Sequence, residues 1–119
     1  MDDFPDFMKN PLNRIASKSQ YTENIEGYVF DGADSSQVAF WKCPKDRLSQ
    51  PHTHEYDEYL IVVQGNFTLI IDNQRISLCA GQEYHILKGV THAGEVTAGT
   101  RTIHFFGGKR VTRENFIKI

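Results

Sequence analysis

The chain has 119 residues, 39% of them hydrophobic and 24% charged, and a formal net charge of −2. That length predicts one domain with room for a sizeable core, and the weakly acidic balance gives no reason to expect nucleic acid or an anionic membrane as a partner. No apolar run approaches the length of a membrane span, and Met1-Asp2-Asp3 is acidic where a secretory signal is basic, so a cytoplasmic protein is expected.

Residues 1–27 read as an irregular N-terminal arm. Phe4, Phe7, Met8, Leu12 and Ile15 are loosely helical in spacing, but Pro5 and Pro11 interrupt them. The pattern predicts one short helical turn, in an arm that packs across the domain, packs onto a partner subunit, or frays. From Tyr28 short β-runs take over: Tyr28–Phe30, then Gln37–Cys43 after a polar turn, a polar connection over Lys45–Gln50, and Pro51 leading into the next run. Glu58–Val63, Phe67–Ile71, Arg75–Cys79, Glu83–Leu87, His92–Thr97 and Arg101–Phe106 follow, separated by turns at Gln64-Gly65-Asn66, Asp72-Asn73-Gln74, Ala80-Gly81, Gly89 and Ala98-Gly99. The last two runs are expected to pair with each other. Turn signals recurring every several residues predict an all-β sandwich or barrel over residues 28–108. Residues 109–119 read as a C-terminal tail or an added edge strand. Cys43 and Cys79 fall in separate strands and are expected to be reduced, buried thiols.

Tyr59–Val63 and Phe67–Ile71 are apolar at nearly every residue, where a strand with one wet face would alternate. Both faces are therefore expected to be covered, one by the barrel interior. The other cover is a second copy of the chain in a homodimer, with the N-terminal arm as the alternative.

The chemistry gathers in Pro51–Gly65. His52 and His54 are two apart and Glu58 lies four further on, so a regular strand would point all three to one face, with Glu55 and Asp57 opposite. Two imidazoles and a carboxylate aimed at one point are good ligands for a divalent transition metal. A fourth ligand is available in His92, within Gly81–His92.

These two stretches resemble the motifs of the cupin superfamily. The first cupin motif runs Gly, five residues, His-x-His, three or four residues, Glu, six residues, Gly; here it is matched by His52, His54, Glu58 and Gly65. The second runs Gly, five residues, Pro-x-Gly, two residues, His, three residues, Asn; here it is matched by Gly81, Gly89 and His92. The leading Gly of the first motif is missing, Leu87 replaces Pro and Val96 replaces Asn, and none of these changes removes a ligand. The resemblance implies a small single-domain cupin, an all-β jelly-roll barrel, that dimerises and holds a metal on His52, His54, Glu58 and His92.

Three nitrogens and one oxygen leave open positions on Fe, Mn, Ni, Co or Cu, and Zn would accept the set as a four- or five-coordinate centre. The expected function is metal-dependent chemistry on a small polar or aromatic molecule, oxidation with dioxygen first and isomerase or lyase chemistry second. The alternative is a non-catalytic small-molecule binding or sensor barrel. His104 reads either as an acid/base or ligand-orienting group beside the metal or as a satisfied histidine between strands. Tyr56 has the parity to offer its hydroxyl to a bound oxygen, with a surface loop as the alternative. Arg101 has the parity opposite to His104; it would clamp a substrate carboxylate if it faced inward, and is expected to be solvated. His85 is expected to stand apart from the ligands. Phe40 and Trp41 must face opposite sides of their strand, so one lines the cavity. Lys109, Arg110 and Arg113 follow Gly107-Gly108 and are expected to form a solvated end rather than a nucleic-acid patch.

Overall fold

The computed structural model describes residues 3–20 and 25–114. Among these, nine strands follow in order: β1 Glu26–Asp31, β2 Gln37–Cys43, β3 Arg47–Leu48, β4 Glu58–Gln64, β5 Asn66–Ile71, β6 Gln74–Cys79, β7 Glu83–Ile86, β8 Ala93–Val96 and β9 Thr100–Phe106. They form two antiparallel sheets, β1-β2-β9-β4-β7 and β3-β8-β5-β6, packed face to face in a jelly-roll. No helix among the described residues is long and apolar enough to cross a membrane.

The turn residues explain where the strands stop. Asp72 and Asn73 both have positive φ, 51° and 62°, the backbone of a tight turn whose twist suits the β5–β6 hairpin. Gly65, at φ 85°, instead carries the chain from one sheet to the other. A Cβ there would lie 2.8 Å from the Thr100 Cα, so both the dihedral and the space call for glycine.

Gly99, at φ 85°, makes a second crossing of this kind. It corrects one expectation: β8 and β9 do not pair. β8 lies between β3 and β5, and β9 lies between β2 and β4. A short Gly turn serves a hairpin and a sheet-to-sheet corner equally well, so its composition does not reveal which is formed.

The apolar run of β4 conceals a plain alternation. Glu58, Leu60 and Val62 are buried, while Tyr59, Ile61 and Val63 are half-buried. The inner set packs with Leu69, Leu78 and Ile86 between the sheets. Burying a side chain such as Leu60 or Leu69 completely contributes about 1.5–3 kcal/mol. The outer set meets β9, with Tyr59 opposite Phe105 and Ile61 opposite Ile103. Phe4 of the arm reaches part of this outer face, packing on Phe40 at 5.9 Å and under the Arg101 guanidinium at 5.1 Å. Arg101 is thus buried on the outside of the sheet, where its side chain donates to Gln64, and is not solvated.

The arm holds three single 3₁₀ turns, Asp6–Met8, Pro11–Asn13 and Ser17–Ser19. Between and after them it runs alongside β1, with Ile15 N donating to Gly27 O at 2.9 Å. Its other side takes the C-terminal tail: Ala16 N donates to Thr112 O at 2.8 Å and Glu114 N to Arg14 O at 2.7 Å. Over the described residues the tail therefore pairs with the arm through an isolated Ile15–Arg113 bridge and is not an edge strand of either sheet. Ile15 and Val111 are buried in a second cluster with Val29, Ala39, Trp41 and Phe106.

Candidate metal centre

The four predicted ligands do come together, by a route other than the one expected. Residues 53–57 are not a strand, and β4 begins only at Glu58. Three sets of backbone hydrogen bonds bend this segment into place. His52 and His92 exchange both N–H···O bonds at 2.9 Å, a single antiparallel rung that sets their rings 4.3 Å apart. Gly89 N donates to His54 O and Gly107 N to Asp57 O, each at 2.9 Å. Glu58 then enters β4 facing inward, in register with Ile86 and Phe106.

One ligand atom from each of His52, His54, Glu58 and His92 lies within 4.8 Å of all the others. Glu58 Oε1 is 3.2 Å from both His54 Nε2 and His92 Nε2. All three atoms are buried. A divalent cation among these converging atoms would be held by all three at once.

The tautomers agree. His52 Nδ1 meets Gln50 O at 2.7 Å and His92 Nδ1 meets Val90 O at 3.0 Å. A carbonyl only accepts, so each Nδ1 carries the proton and each Nε2 presents its lone pair. The group could hold a metal ion.

Glu58 is divided between two tasks. Oε1 faces the imidazoles, while Oε2 accepts from His104 Nδ1 at 2.7 Å. The other nitrogen of His104 meets Thr102 Oγ1 at 2.9 Å. His104 is buried, its ring edge-on to Trp41 at 4.9 Å and stacked on Phe106 at 6.0 Å. It is placed to orient Glu58. Burial pushes the Glu58 carboxyl up, but His104, His54 and His92 outweigh it and hold it well below the usual carboxylate range.

Burial pushes His92 down, but the contact with Glu58, the bond to Val90 O and the Glu58 charge together outweigh it and leave it raised. Burial lowers His52 to about 4, helped by the neighbouring imidazoles and Arg110. Cys43 also lines the cavity, and burial pushes its thiol up to about 12, so it stays protonated.

Beside the ligands lies a cavity of about 90 Å³ whose lining includes Trp41, Phe67, Ile86 and Phe106. Trp41 is thus the inward aromatic of β2, while Phe40 packs outside with Phe4 and Phe30. Tyr56 is not among the described residues lining the cavity. Its ring lies flat against His54 at 5.1 Å and edge-on to Phe106, which gives it a packing role behind the ligand. His85 is exposed and its Nε2 meets Asp57 Oδ2 at 3.0 Å; with Lys88 N on Oδ1 it fixes the lip of the ligand loop from outside. Cys79 is exposed, contrary to expectation, with its thiol against Gln82 Oε1.

Sequence reasoning missed Gln20 and Arg110, which reach the cavity from the two ends of the chain. The arm brings Gln20, whose Oε1 accepts from Trp41 Nε1 at 3.0 Å. Neither has a local signal, since each is placed by pairing between the arm and the tail.

Comparison with known proteins agrees with this architecture. The cupin domain family model matches residues 39–107. No curated protein sequence matches the chain. Among solved structures, the polyketide cyclase RemF from Streptomyces resistomycificus superposes with a TM-score of 0.68 at 17% identity, over 90% of this chain and 82% of that one. An RmlC-like cupin from Shewanella frigidimarina gives 0.64 at 18% identity, over 88% of this chain and 99% of its own. KdgF from a Halomonas species gives 0.64 at 17% identity, over 77% and 89%. At these identities the likeness is one of fold.

Proposed function

Since this chain belongs to the cupin domain family, which its match over residues 39–107 establishes, we propose that it binds one divalent transition metal through His52, His54, Glu58 and His92 and acts with it on a small molecule. The observation that carries this is the convergence of one ligand atom from each of the four residues to within 4.8 Å of the others, with Glu58 Oε1 3.2 Å from both His54 Nε2 and His92 Nε2. Fe, Mn, Ni, Co, Cu and Zn all accept such a donor set. Oxidation with dioxygen is the first reaction class, and isomerase or lyase chemistry the second.

A bound metal would polarise a substrate oxygen or lower the pKa of a bound water. The chain supplies the remainder. His52 and His92 keep their lone pairs inward through Nδ1–H bonds to backbone carbonyls. His104 fixes the rotation of the Glu58 carboxylate. Trp41, Phe67, Ile86 and Phe106 give the cavity an apolar wall against which an organic body can pack. At about 90 Å³ the cavity takes on the order of half a dozen water-sized groups, so the substrate is small or enters by one end. RemF is a polyketide cyclase, so a fold of this kind houses small-molecule chemistry; 17% identity does not carry its reaction across.

One observation favours the non-catalytic alternative. Both ring nitrogens of His104 are already bonded, so it is not poised to exchange a proton with a ligand. A binding or sensor barrel would need the same metal group without that proton.

The test is elemental analysis of protein purified without a metal-affinity tag, beside His52→Ala and His92→Ala. Near one equivalent of a transition metal, lost in both variants, supports the site, and oxygen-uptake and isomerase screens then separate enzyme from sensor. Metal that is absent, or indifferent to both substitutions, refutes the metal reading.

A further inference from the structure

One inward position of β8 carries no side chain. Gly94 and Val96 are both buried and both line the cavity. A glycine inside a strand weakens it and marks a close approach. The backbone does not call for glycine here, since the positive-φ glycines among the described residues are Gly65, Gly81, Gly89 and Gly99. The ring of Phe67 does. A Cβ on Gly94 would fall on the ring's Cζ and lie 3.1 Å from both Cε atoms.

The register of β5 and β8 explains the approach. Leu69 stands opposite Gly94 and Phe67 opposite Val96, so Phe67 is the diagonal neighbour of Gly94 on the same face. An aromatic side chain spans that diagonal, and the ring takes the place that a side chain at position 94 would fill. Phe67 packs against the cluster of Leu60, Val62, Leu69, Leu78 and Ile86, is half-buried and lines the cavity. Its ring lies 5.8 Å from that of His104, which bonds Glu58.

Gly94 is held where it is. Its N donates to Ser49 Oγ and its O accepts from Ser49 N, each at 2.8 Å. Its other edge pairs with Leu69 of β5. It stands two residues beyond His92, which exchanges both backbone bonds with His52. With the strand fixed on both edges, any conflict between backbone and ring is settled by the ring, which turns about its own side-chain bonds. The empty place at position 94 therefore sets where the ring lies, and the ring sets how far the cavity extends beside His104.

We propose that Phe67, seated over Gly94, is the residue that sets the size of ligand this cavity admits, so that the substrate is a small chelating molecule whose body is stopped by the Phe67 ring. This rests on the metal reading above and names the residue that limits its substrate.

Two probes with the same chelating head test it: acetohydroxamic acid, with a methyl body, and benzohydroxamic acid, with a phenyl body. Each is titrated into cobalt(II)-loaded protein and followed by the cobalt absorption spectrum, and the quantity read is the ratio of the two affinities. Phe67→Ala opens room for a ring and should shift that ratio toward the phenyl probe by roughly 10- to 100-fold. Phe67→Leu should shift it the same way by less, and covers the case in which thermal melts find Phe67→Ala unfolded. Gly94→Ala displaces the ring toward His104 and should shift the ratio toward the methyl probe by about threefold or more. In the Phe67→Ala background the same change should shift it by less than about threefold, because the ring it strikes is gone. A ring that only stabilises the fold would leave the ratio alone. A ratio within about threefold of wild type in both Phe67 variants, or a Gly94→Ala shift undiminished in the Phe67→Ala background, overturns the proposal and leaves the metal reading standing. A cobalt spectrum that neither probe changes in any variant does the same. Failure of the wild type to take up cobalt overturns both.

Discussion

Replacing His104 with phenylalanine would keep an aromatic ring in its stack and remove only what its nitrogens do. Trp41 at 4.9 Å, Phe67 at 5.8 Å and Phe106 at 6.0 Å would still have a ring to pack on. The losses are the 2.7 Å bond to Glu58 Oε2 and the 2.9 Å bond to Thr102 Oγ1, both buried. A hydrogen bond to a charged group contributes about 1.5–3 kcal/mol and a neutral one about 0.5–1.5 kcal/mol. The metal-free protein should therefore lose about 2–4 kcal/mol, and at about 4 °C per kcal/mol for a domain of this size its melting point should fall by about 8–16 °C. The effect on the metal is separate. Without His104 the Glu58 carboxylate is free to rotate, and loss of such an orienting partner lowers metal affinity by about 10- to 100-fold. Competition of Co(II) or Zn(II) against a chromophoric chelator measures the second effect, and melts with and without metal measure the first. Affinity within about threefold of wild type would refute the orienting role even if the melting point fell, and an unchanged melting point would refute the burial argument as well.

Three further outcomes are expected. Glu58 has its carboxyl pKa depressed on folding, so its contribution to stability is full above the ordinary value of 4.5 and is lost as pH falls through the lower folded value. Metal-free wild type should accordingly lose more stability than Glu58→Gln between about pH 5 and about pH 3 in denaturant titrations, and equal losses would count against that sign. Gly65→Ala combines a φ of 85° with a clash 2.8 Å from the Thr100 backbone, whereas Gly81→Ala has a φ of 87° and nothing within 4 Å. Urea midpoints should show about 1 kcal/mol lost at Gly81 and about 3 kcal/mol or more at Gly65, and comparable losses would remove the steric account. The outer face of the five-stranded sheet presents Tyr59 and Ile61 opposite Phe105 and Ile103, and we propose that a second copy of the chain covers it. Light scattering should find a dimer that Ile61→Glu converts to monomer, and a monomeric wild type would end that proposal.

What could be read from the sequence, and what could not, divides along sequence distance. The strands were legible because the chain marks their ends with residues that tolerate the left-handed region: Gly65, Asp72, Asn73, Gly81, Gly89 and Gly99 all have φ between 51° and 87°. Sheet membership was not. It depends on which strand arrives beside which, and Gly99 looks the same at a crossing as it would in a hairpin. The alternation in β4 was hidden because an apolar residue serves on the inner face and on a sheltered outer face alike. The group that could hold a metal was legible by spacing, although the reason assigned to its convergence was wrong. Strand parity did not align His52, His54 and Glu58. A bend did, and its fasteners are backbone groups of Gly89, His92 and Gly107, which carry no side-chain signature.

Arg110 shows where this limit matters for function. Gly107-Gly108-Lys109-Arg110 has the composition of a solvated end, and locally nothing contradicts that. Its place in the cavity comes from Gln37, 73 positions away, and from Ser19, 91 positions away. The metal group is built within a short motif and its second half. Arg110 is delivered to the cavity by the meeting of the two termini. A chain can therefore keep all four of the converging residues and still change the lining of its cavity by exchanging one residue of the tail. Arg110→Gln and His92→Ala should accordingly differ in metal content measured by elemental analysis, the first keeping the metal and the second losing it. That separation is the physical content of assigning the two tasks to different parts of the fold.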